Sequence, residues 1–445
     1  MVSVYSKNLQ VYNAQQFKTS IEGSDQPHLY LSFGKISSWT NDSSPPQANT
    51  SIAAFNDIWK NMIGAKKIQG NDVRLATRRF NWSNNTTYTA YDDCSCSLNM
   101  NDANSKFYVV TDEWNVYKCI SNNNGKVSNT KPTSTITTAS IETADNYIWK
   151  YMYTLSDEER MRFTTDSYIP VKTLISDDGS LQWQVQSSSV QGAIESIRML
   201  NYGSSYTTLP SIAIVGDGVG ANAIARINST SQTVDSVIIT NKGSGYTYAN
   251  VVFTGATGSG ASARVVMSPP GGHGHNPEEE LGASFIMLNP RVNGSESGKL
   301  DVANEFRQVA IMKNPLLKGT TTVASNIALS QTTTLHLDGS TSTEYIEDET
   351  VYQGASVAES TFKGKVASWD SANDVIKLVD IVGTPDANPL VGETSRATNY
   401  ILSSSGSIIL QELEPYSGSL IYTNNVVPIQ RAEDQTEDFK IVISF

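Results

Sequence analysis

Two histidines separated by a single glycine, His273 and His275, stand just before three consecutive acids, Glu278, Glu279 and Glu280. Imidazoles at that spacing offer two nitrogens to one cation. A zinc site needs three or four ligands held by oriented partners. The surrounding stretch, Pro269-Pro-Gly-Gly-His-Gly-His-Asn-Pro277, has proline or glycine at six of its nine positions, so neither helix nor strand can hold those ligands there. It reads as a flexible linker. Cys94-Ser-Cys96 and the distant Cys119 supply three thiols, but Cys-x-Cys lacks zinc-knuckle spacing, and three is the wrong number for a disulfide framework. They read as free thiols.

Gly216-Asp-Gly218-Val-Gly-Ala221 fits the dinucleotide pattern G-x-G-x-x-G/A, and Gly258-Ser-Gly260-Ala-Ser-Ala263 fits it again. That loop cradles a pyrophosphate only when a helix N-terminus follows it. Here Asn222–Thr230 soon reaches another turn, so the glycines belong to turns of a β repeat. The sequence has no Gly-x-Ser-x-Gly elbow, no His-Glu-x-x-His pair and no Walker loop. A triad would have to use His28 or His336. A glycosidase pair would have to come from acids such as Asp112, Glu113, Asp348 and Glu349, and among 44 acids such pairs arise by chance. The expectation is a protein that is not an enzyme, with no catalytic, cofactor-binding or metal-ligating residues and no cofactor.

The elements that would carry these residues are mostly strands. Thr, Val, Ile and Tyr recur in short alternating runs broken by Asn-Gly, Asp-Gly and Gly-Ser. One helix stands out: Ile52, Phe55, Ile58, Trp59, Met62 and Ile63 follow the cap candidates Thr50 and Ser51, with Gly64 placed to stop it. Ser156-Asp-Glu-Glu159 fits a capping box and predicts a second, short one. Thr361–Trp369 and Val375–Val382 read as a hairpin across Asp370–Asp374. In the closing run Phe439, Ile441, Ile443 and Phe445 share one face, which predicts a half-buried strand. Most of the seven tryptophans sit in apolar patterns suited to a core.

A tandem repeat organises the middle of the chain. Residues 194–225 match 234–265 at an offset of forty: Asn201 with Asn241, Gly203 with Gly243, Tyr206-Thr207 with Tyr246-Thr247, Gly218 with Gly258 and Gly220-Ala221 with Gly260-Ala261. Two copies are too few for a solenoid, so they form one closed β module inserted into a host domain. The fold class expected is mainly β: a multi-layer β-sandwich core with a few short helices, carrying two inserted small β-domains. Residues 1–189 form the first part of the core, 190–268 the repeat module, 269–319 a linker and second part of the core, 320–412 another inserted β module, and 413–445 the last part with its terminal strand.

Composition bounds the partners. The chain has 445 residues, 44 acidic against 32 basic side chains and a net charge of −12. This field repels phosphate backbones and anionic lipid, so neither nucleic acid nor membrane is expected. The first ten residues lack a signal-peptide apolar stretch, and no 18 apolar residues run together. A soluble, cytoplasmically made protein is the expectation.

Several stretches, read in order, resemble the family of baseplate wedge proteins of T4-type contractile-tailed bacteriophages, the eighth gene product of that tail's assembly set. They are Leu29-Tyr-Leu-Ser-Phe-Gly34 with Trp39; Asp57-Ile-Trp59 with Met62 and Gly64; Arg78-Arg79-Phe-Asn-Trp82; Val116-Tyr-Lys-Cys119; Tyr147-Ile-Trp149-Lys-Tyr151; and Ser167-Tyr-Ile-Pro170. Later come Phe306-Arg-Gln308, Asn314-Pro-Leu316 and Asp434-Gln-Thr-Glu437 with the final apolar strand. The resemblance covers residues 1–186, 280–318 and 413–445, and leaves the repeat and 320–412 without counterpart. It implies a β-sandwich-like structural subunit of the virion tail baseplate, assembled in the host cytoplasm. Such a subunit is a homodimer bound to other wedge subunits and transmits rearrangement during contraction. The alternatives are a carbohydrate-binding tail adhesin, suggested by the Tyr/Gly-rich repeat, and a β-rich polysaccharide hydrolase.

Overall fold

The computed structural model describes residues 6–23, 27–94 and 105–445; Cys96 lies outside them. Strand accounts for 41% of the chain and helix for 11%, so the protein is mainly β, built of several sheets in a sandwich-like arrangement. The chain divides into two compact units, one of Met1–Lys18, Arg74–Met287 and Val442–Phe445, the other of Thr19–Val73 and Leu288–Ile441.

In the first unit, strand Asn115–Asn122 lies between Tyr108–Val110 and Tyr147–Thr154, with Ile141–Glu142 beyond. Alternation sends Tyr117, Cys119, Tyr147, Trp149 and Tyr151 into one aromatic core. Burial pushes the Cys119 thiol well above its usual range, so it is inert. A second sheet sets Ile441–Ser444 beside Phe285–Leu288, Val73–Arg78 and Tyr168–Val171. The chain end is therefore a half-buried edge strand, with the Phe445 ring tilted against Phe17, ring centres 5.4 Å apart. Phe17 belongs to helix Lys7–Glu22, which sequence periodicity missed: it buries only Val11 and Ala14 and has no acid in its first turn or base in its last. Asp157–Phe163 has the predicted capping box, Ser156 and Glu159 each satisfying the other's backbone N–H.

The repeat folds as a six-stranded sheet of its own. In chain order its strands are Ile194–Ser204, Ser211–Gly216 and Val219–Asn228 from the first copy, then Thr233–Ser244, Ala249–Thr254 and Ser259–Met267 from the second. In space the middle strands of the two copies pair at the centre. Each copy's third strand lies outside its own middle strand and pairs outward with the other copy's first strand. The sheet curls until the two first strands lie side by side, giving a near-barrel. The copies are thus intertwined. Tyr246 of the second copy packs on Gly218 of the first and its hydroxyl accepts from Ala221 N at 3.3 Å; Tyr206 of the first packs on Gly258 of the second and accepts from Ala261 N at 3.4 Å. A Cβ on Gly243 would come within 2.5 Å of Ala221 N, at φ +61°, so only glycine fits there. The dinucleotide-like glycines are turn and packing glycines, and a strand rather than a helix follows each.

Ile194 and Met267 are paired in the sheet, so the module's two ends lie about 5 Å apart. Its polar ties to the rest of the unit include Arg198 and Arg264 to Asp92, Arg264 to Asp93 and Arg226 to Glu142; of these the exposed Arg226–Glu142 pair is worth at most about 1 kcal/mol. Replacing Ile194–Met267 by a short loop is expected to leave the remainder folded, checked by cooperative urea unfolding. Aggregation of that deletion would show that the module belongs to the core.

In the second unit, a five-stranded sheet runs Ala328–Ser330, Met62–Lys67, Leu29–Gly34, Phe306–Lys313 and Ser419–Ile429. Helix Ile52–Lys60 packs on it through Ile58 and Trp59, with Ser51 accepting from Ala54 N as its cap. The helix ends earlier than its periodicity predicts. Asn61 caps it by bonding Asp57, and Met62, Ile63 and Gly64 turn into a strand paired with Leu29–Gly34. Two flanking strands offer that backbone more hydrogen bonds than a further helical turn would, and Gly64 leaves room for Leu300 rather than stopping a helix. Residues 333–409 form a seven-stranded half-barrel around Leu335, Val351, Phe362, Val366 and Leu378, with the predicted hairpin Phe362–Asp370 and Val375–Gly383 at its centre. Ala328–Ser330, inside the segment expected to be foreign, instead adds an edge strand to the host sheet.

Candidate functional site

The most concentrated chemistry lies inside the first unit, on the face of the Asn115–Asn122 sheet opposite the aromatic core. Strand parity turns Lys118 to that face, and antiparallel register places Lys150 directly beside it. Both lysines are 1% exposed or less. Lys150 Nζ donates to Thr137 O at 3.0 Å, and burial holds its pKa below the ordinary lysine range. Lys118 Nζ meets Glu280 Oε2 at 2.8 Å and His273 Nδ1 at 3.1 Å, and sits 4.0 Å from the ring centre of Tyr91. His273 packs edge-on against the same tyrosine, with ring centres 4.8 Å apart.

The segment expected to be a flexible linker is thus an interior strap, because His273 and Glu280 find partners there that solvent would otherwise have supplied. Its glycines make the path possible. Gly274 sits at φ +94° against Val185, and its N–H reaches Glu280 Oε1 at 2.8 Å and Oε2 at 3.0 Å. Asn276 N donates to Oε1 at 3.1 Å. Asn276 then caps the single turn Pro277–Glu280 by accepting from Glu279 N, and Glu278 is taken by Gln15 Nε2 and Thr173 N.

His273 and His275 do not converge. His273 is 2% exposed, while His275 faces solvent with Nδ1 at 3.3 Å from Ser189 Oγ. Burial, then the cations of Lys118, Lys150 and Lys242, push the His273 pKa well below the ordinary range, so its imidazole is neutral. A histidine with a depressed folded pKa binds its proton more readily unfolded, so its stabilisation is full above the unfolded pKa and declines as pH falls below about 6.5. The stability advantage of the natural chain over His273→Phe is expected to shrink below that pH by up to about 1.4 kcal/mol per unit. Urea midpoints measured across pH 5–8 check this; a constant difference would contradict it.

The other candidates lie outside this cluster. Asp112 and Glu113 both bind Lys131, on the rim of an open groove of about 500 Å³ lined by Arg79, Trp82 and Trp114. Arg79 and Arg160 lie over the Trp114 ring, at 4.9 and 5.0 Å. In the other unit Asp348 binds Lys365. Although burial works against it, the Glu349 carboxylate is held ionised by four donors, Ile346 N, Thr394 N, Ser395 N and Ser395 Oγ. His28 Nδ1 meets Ala324 O, and His336 lies half-buried in strand Thr333–His336. Among the described residues Asp92, Asp93 and Cys94 lie close enough to share a cation, but Arg198 and Arg264 already neutralise Asp92, and Arg264 also holds Asp93. Trp59 and Trp149 are core; Trp39, Trp82, Trp114, Trp183 and Trp369 are only half-buried.

Sequence reasoning passed over Lys118, Lys150 and Tyr91. A signal was present: Val116-Tyr-Lys118-Cys-Ile120 and Tyr147-Ile-Trp-Lys150-Tyr-Met152 each set one lysine in a run too apolar for an exposed strand, and a lysine there must find a buried partner. Lys118 finds its partners, His273 and Glu280, more than a hundred residues away, which no local pattern reveals. No family model matches the chain, and no curated protein matches it. Among the described residues no helix is long and apolar enough to cross a membrane.

Proposed function

We propose that this protein is a structural subunit of a contractile-phage tail baseplate wedge. It acts as a homodimer that joins neighbouring wedge proteins and passes on their rearrangement during contraction, without catalytic turnover. It would be assembled in the host cytoplasm and reside in the virion tail baseplate. One observation carries the reading: the stretches that resemble the wedge family fall, in order, on the scaffold. Leu29–Gly34, Val116–Cys119, Tyr147–Tyr151, Tyr168–Pro170, Phe306–Gln308 and the final run are strands of host sheets. The repeat, which has no counterpart in the family, pairs only within itself.

Two further features support it. Asp112, Glu113 and Asp348 are engaged in ion pairs, and Glu349 is held by backbone and hydroxyl donors. The repeat module also presents Leu200, Val215, Val219, Ile224, Tyr248 and Val252 to solvent, each 41–70% exposed. Few charges need be desolvated when such a surface is covered. Sedimentation of the purified chain should give a dimer, and its density should lie in the baseplate of an intact virion. A strict monomer at tens of micromolar would count against the proposal.

A further inference from the structure

We propose that Lys118 and Glu280 condense after folding into an intramolecular amide, with His273 as the proton carrier. The proposal does not depend on what the chain assembles with. Four geometric facts carry it. The nucleophile and the acid touch, Nζ to Oε2 at 2.8 Å, with side chains 0% and 2% exposed. A single imidazole nitrogen, Nδ1 of His273, faces both, 3.1 Å from Nζ and 3.9 Å from Oε2. The other carboxylate oxygen, Oε1, already receives two backbone N–H groups, Gly274 at 2.8 Å and Asn276 at 3.1 Å, which is the arrangement of an oxyanion hole. Finally, the aromatic ring of Tyr91 closes the site over Nζ, where water is excluded.

The step balances without any co-reactant. A proton passes from the Lys118 ammonium to Oε2, giving an amine and a carboxylic acid. The Nζ lone pair adds to the Glu280 carboxyl carbon, and the displaced C=O electron pair settles on Oε1 under the two N–H groups. His273 Nδ1 takes a proton from the nitrogen as the C–N bond forms and returns it to Oε2. The carbon–Oε2 bond then breaks, Oε2 leaves as water, and the pair on Oε1 re-forms the carbonyl. Of the three protons on the ammonium, one stays on the amide nitrogen and two leave in the water. The His273 pKa, pushed down by burial, keeps the imidazole neutral, and the step uses its tautomer with the proton on Nε2, in which Nδ1 accepts from Lys118 Nζ. Reacting groups held in contact behave as if at effective concentrations up to about 10⁵–10⁸ M, which speeds the condensation, and exclusion of water from the buried site disfavours the reverse hydrolysis.

The bond would tie strand Asn115–Asn122 to the turn Pro277–Glu280 and bracket the whole repeat module, since its two ends are 162 residues apart. Load entering the chain on one side of the module would pass through the amide and leave the module unstretched.

The test is the intact mass of the denatured natural chain. The expected result is a mass lower by one water, with a branched tryptic peptide joining Lys118 to Glu280 and no cleavage after Lys118. Lys118→Arg should keep the full mass. His273→Phe, with its fold checked by circular dichroism, should convert roughly a hundredfold more slowly, the usual worth of a positioned proton carrier. Full mass in the natural chain after prolonged incubation would overturn the proposal, as would loss of water without the branched peptide. An unchanged rate in His273→Phe would remove the histidine from the step.

Discussion

Measured against natural chain in which Lys118 and Glu280 are still an unreacted ion pair, Glu280→Ala is expected to lower the unfolding free energy by about 3–5 kcal/mol, the usual cost of removing one partner of a buried ion pair. The size follows from what is left behind. Lys118 Nζ would remain in a site where its side chain is 0% exposed, with a neutral imidazole and an aromatic face as its nearest company. The N–H groups of Gly274 and Asn276 would also lose their acceptor, and each unpaired buried donor costs a further ~1–3 kcal/mol if water cannot reach it. The double variant Lys118→Met with Glu280→Leu should be more stable than the single one, because no buried charge is then left unpaired, although the Gly274 and Asn276 N–H groups still lack their acceptor. Urea unfolding of the three chains checks the order. A single variant within about 0.5 kcal/mol of the natural chain, the range of ordinary surface substitutions, would mean the pair is solvated.

Tyr246→Ala is expected to cost about 3–5 kcal/mol in the stability of the repeat module, as loss of a buried aromatic ring does. Tyr246 is 5% exposed, fills the space that Gly218 leaves, and accepts from Ala221 N. The equivalent Tyr206→Ala should cost a similar amount, because that ring occupies the mirror position on Gly258 and Ala261. Each tyrosine grips the opposite copy, so either loss loosens both halves. Hydrogen exchange should show faster opening across all six strands of residues 194–267 rather than across one copy. Exchange confined to the mutated copy would mean that the halves fold separately.

Some of this architecture was legible locally. The forty-residue offset predicted a paired module because glycine, tyrosine and small residues recur where turns and packing demand them. At equivalent positions Asp217 and Thr257 do the same work, Asp217 accepting from Thr247 N and Thr257 from Thr207 N. Three backbone and hydroxyl donors, led by the Thr247 hydroxyl, hold the Asp217 carboxyl down at about 2. The capping box at Ser156, the hairpin across Asp370–Asp374 and the terminal strand were readable for the same reason: their determinants lie within a few residues of each other.

The helix after Ser51 was misjudged at its far end because Met62 and Ile63 fit a helical stripe and a buried strand equally well; two distant strands, Leu29–Gly34 and Ala328–Ser330, decided between them. The strap at Pro269–Pro277 was misjudged more deeply. Its composition excludes regular structure, and that much held, but composition says nothing about burial.

By itself, then, the sequence determined the β character, the repeat and its glycines, the local caps and the acidic surface, since alternation, turn chemistry and charge act over a few bonds or through bulk solvent. Only the tertiary structure decided that each copy of the repeat completes the other, and that His273 and Glu280 fold inward to meet Lys118. Those outcomes depend on which surfaces exclude water together, a property of the packed chain that no short stretch of residues possesses.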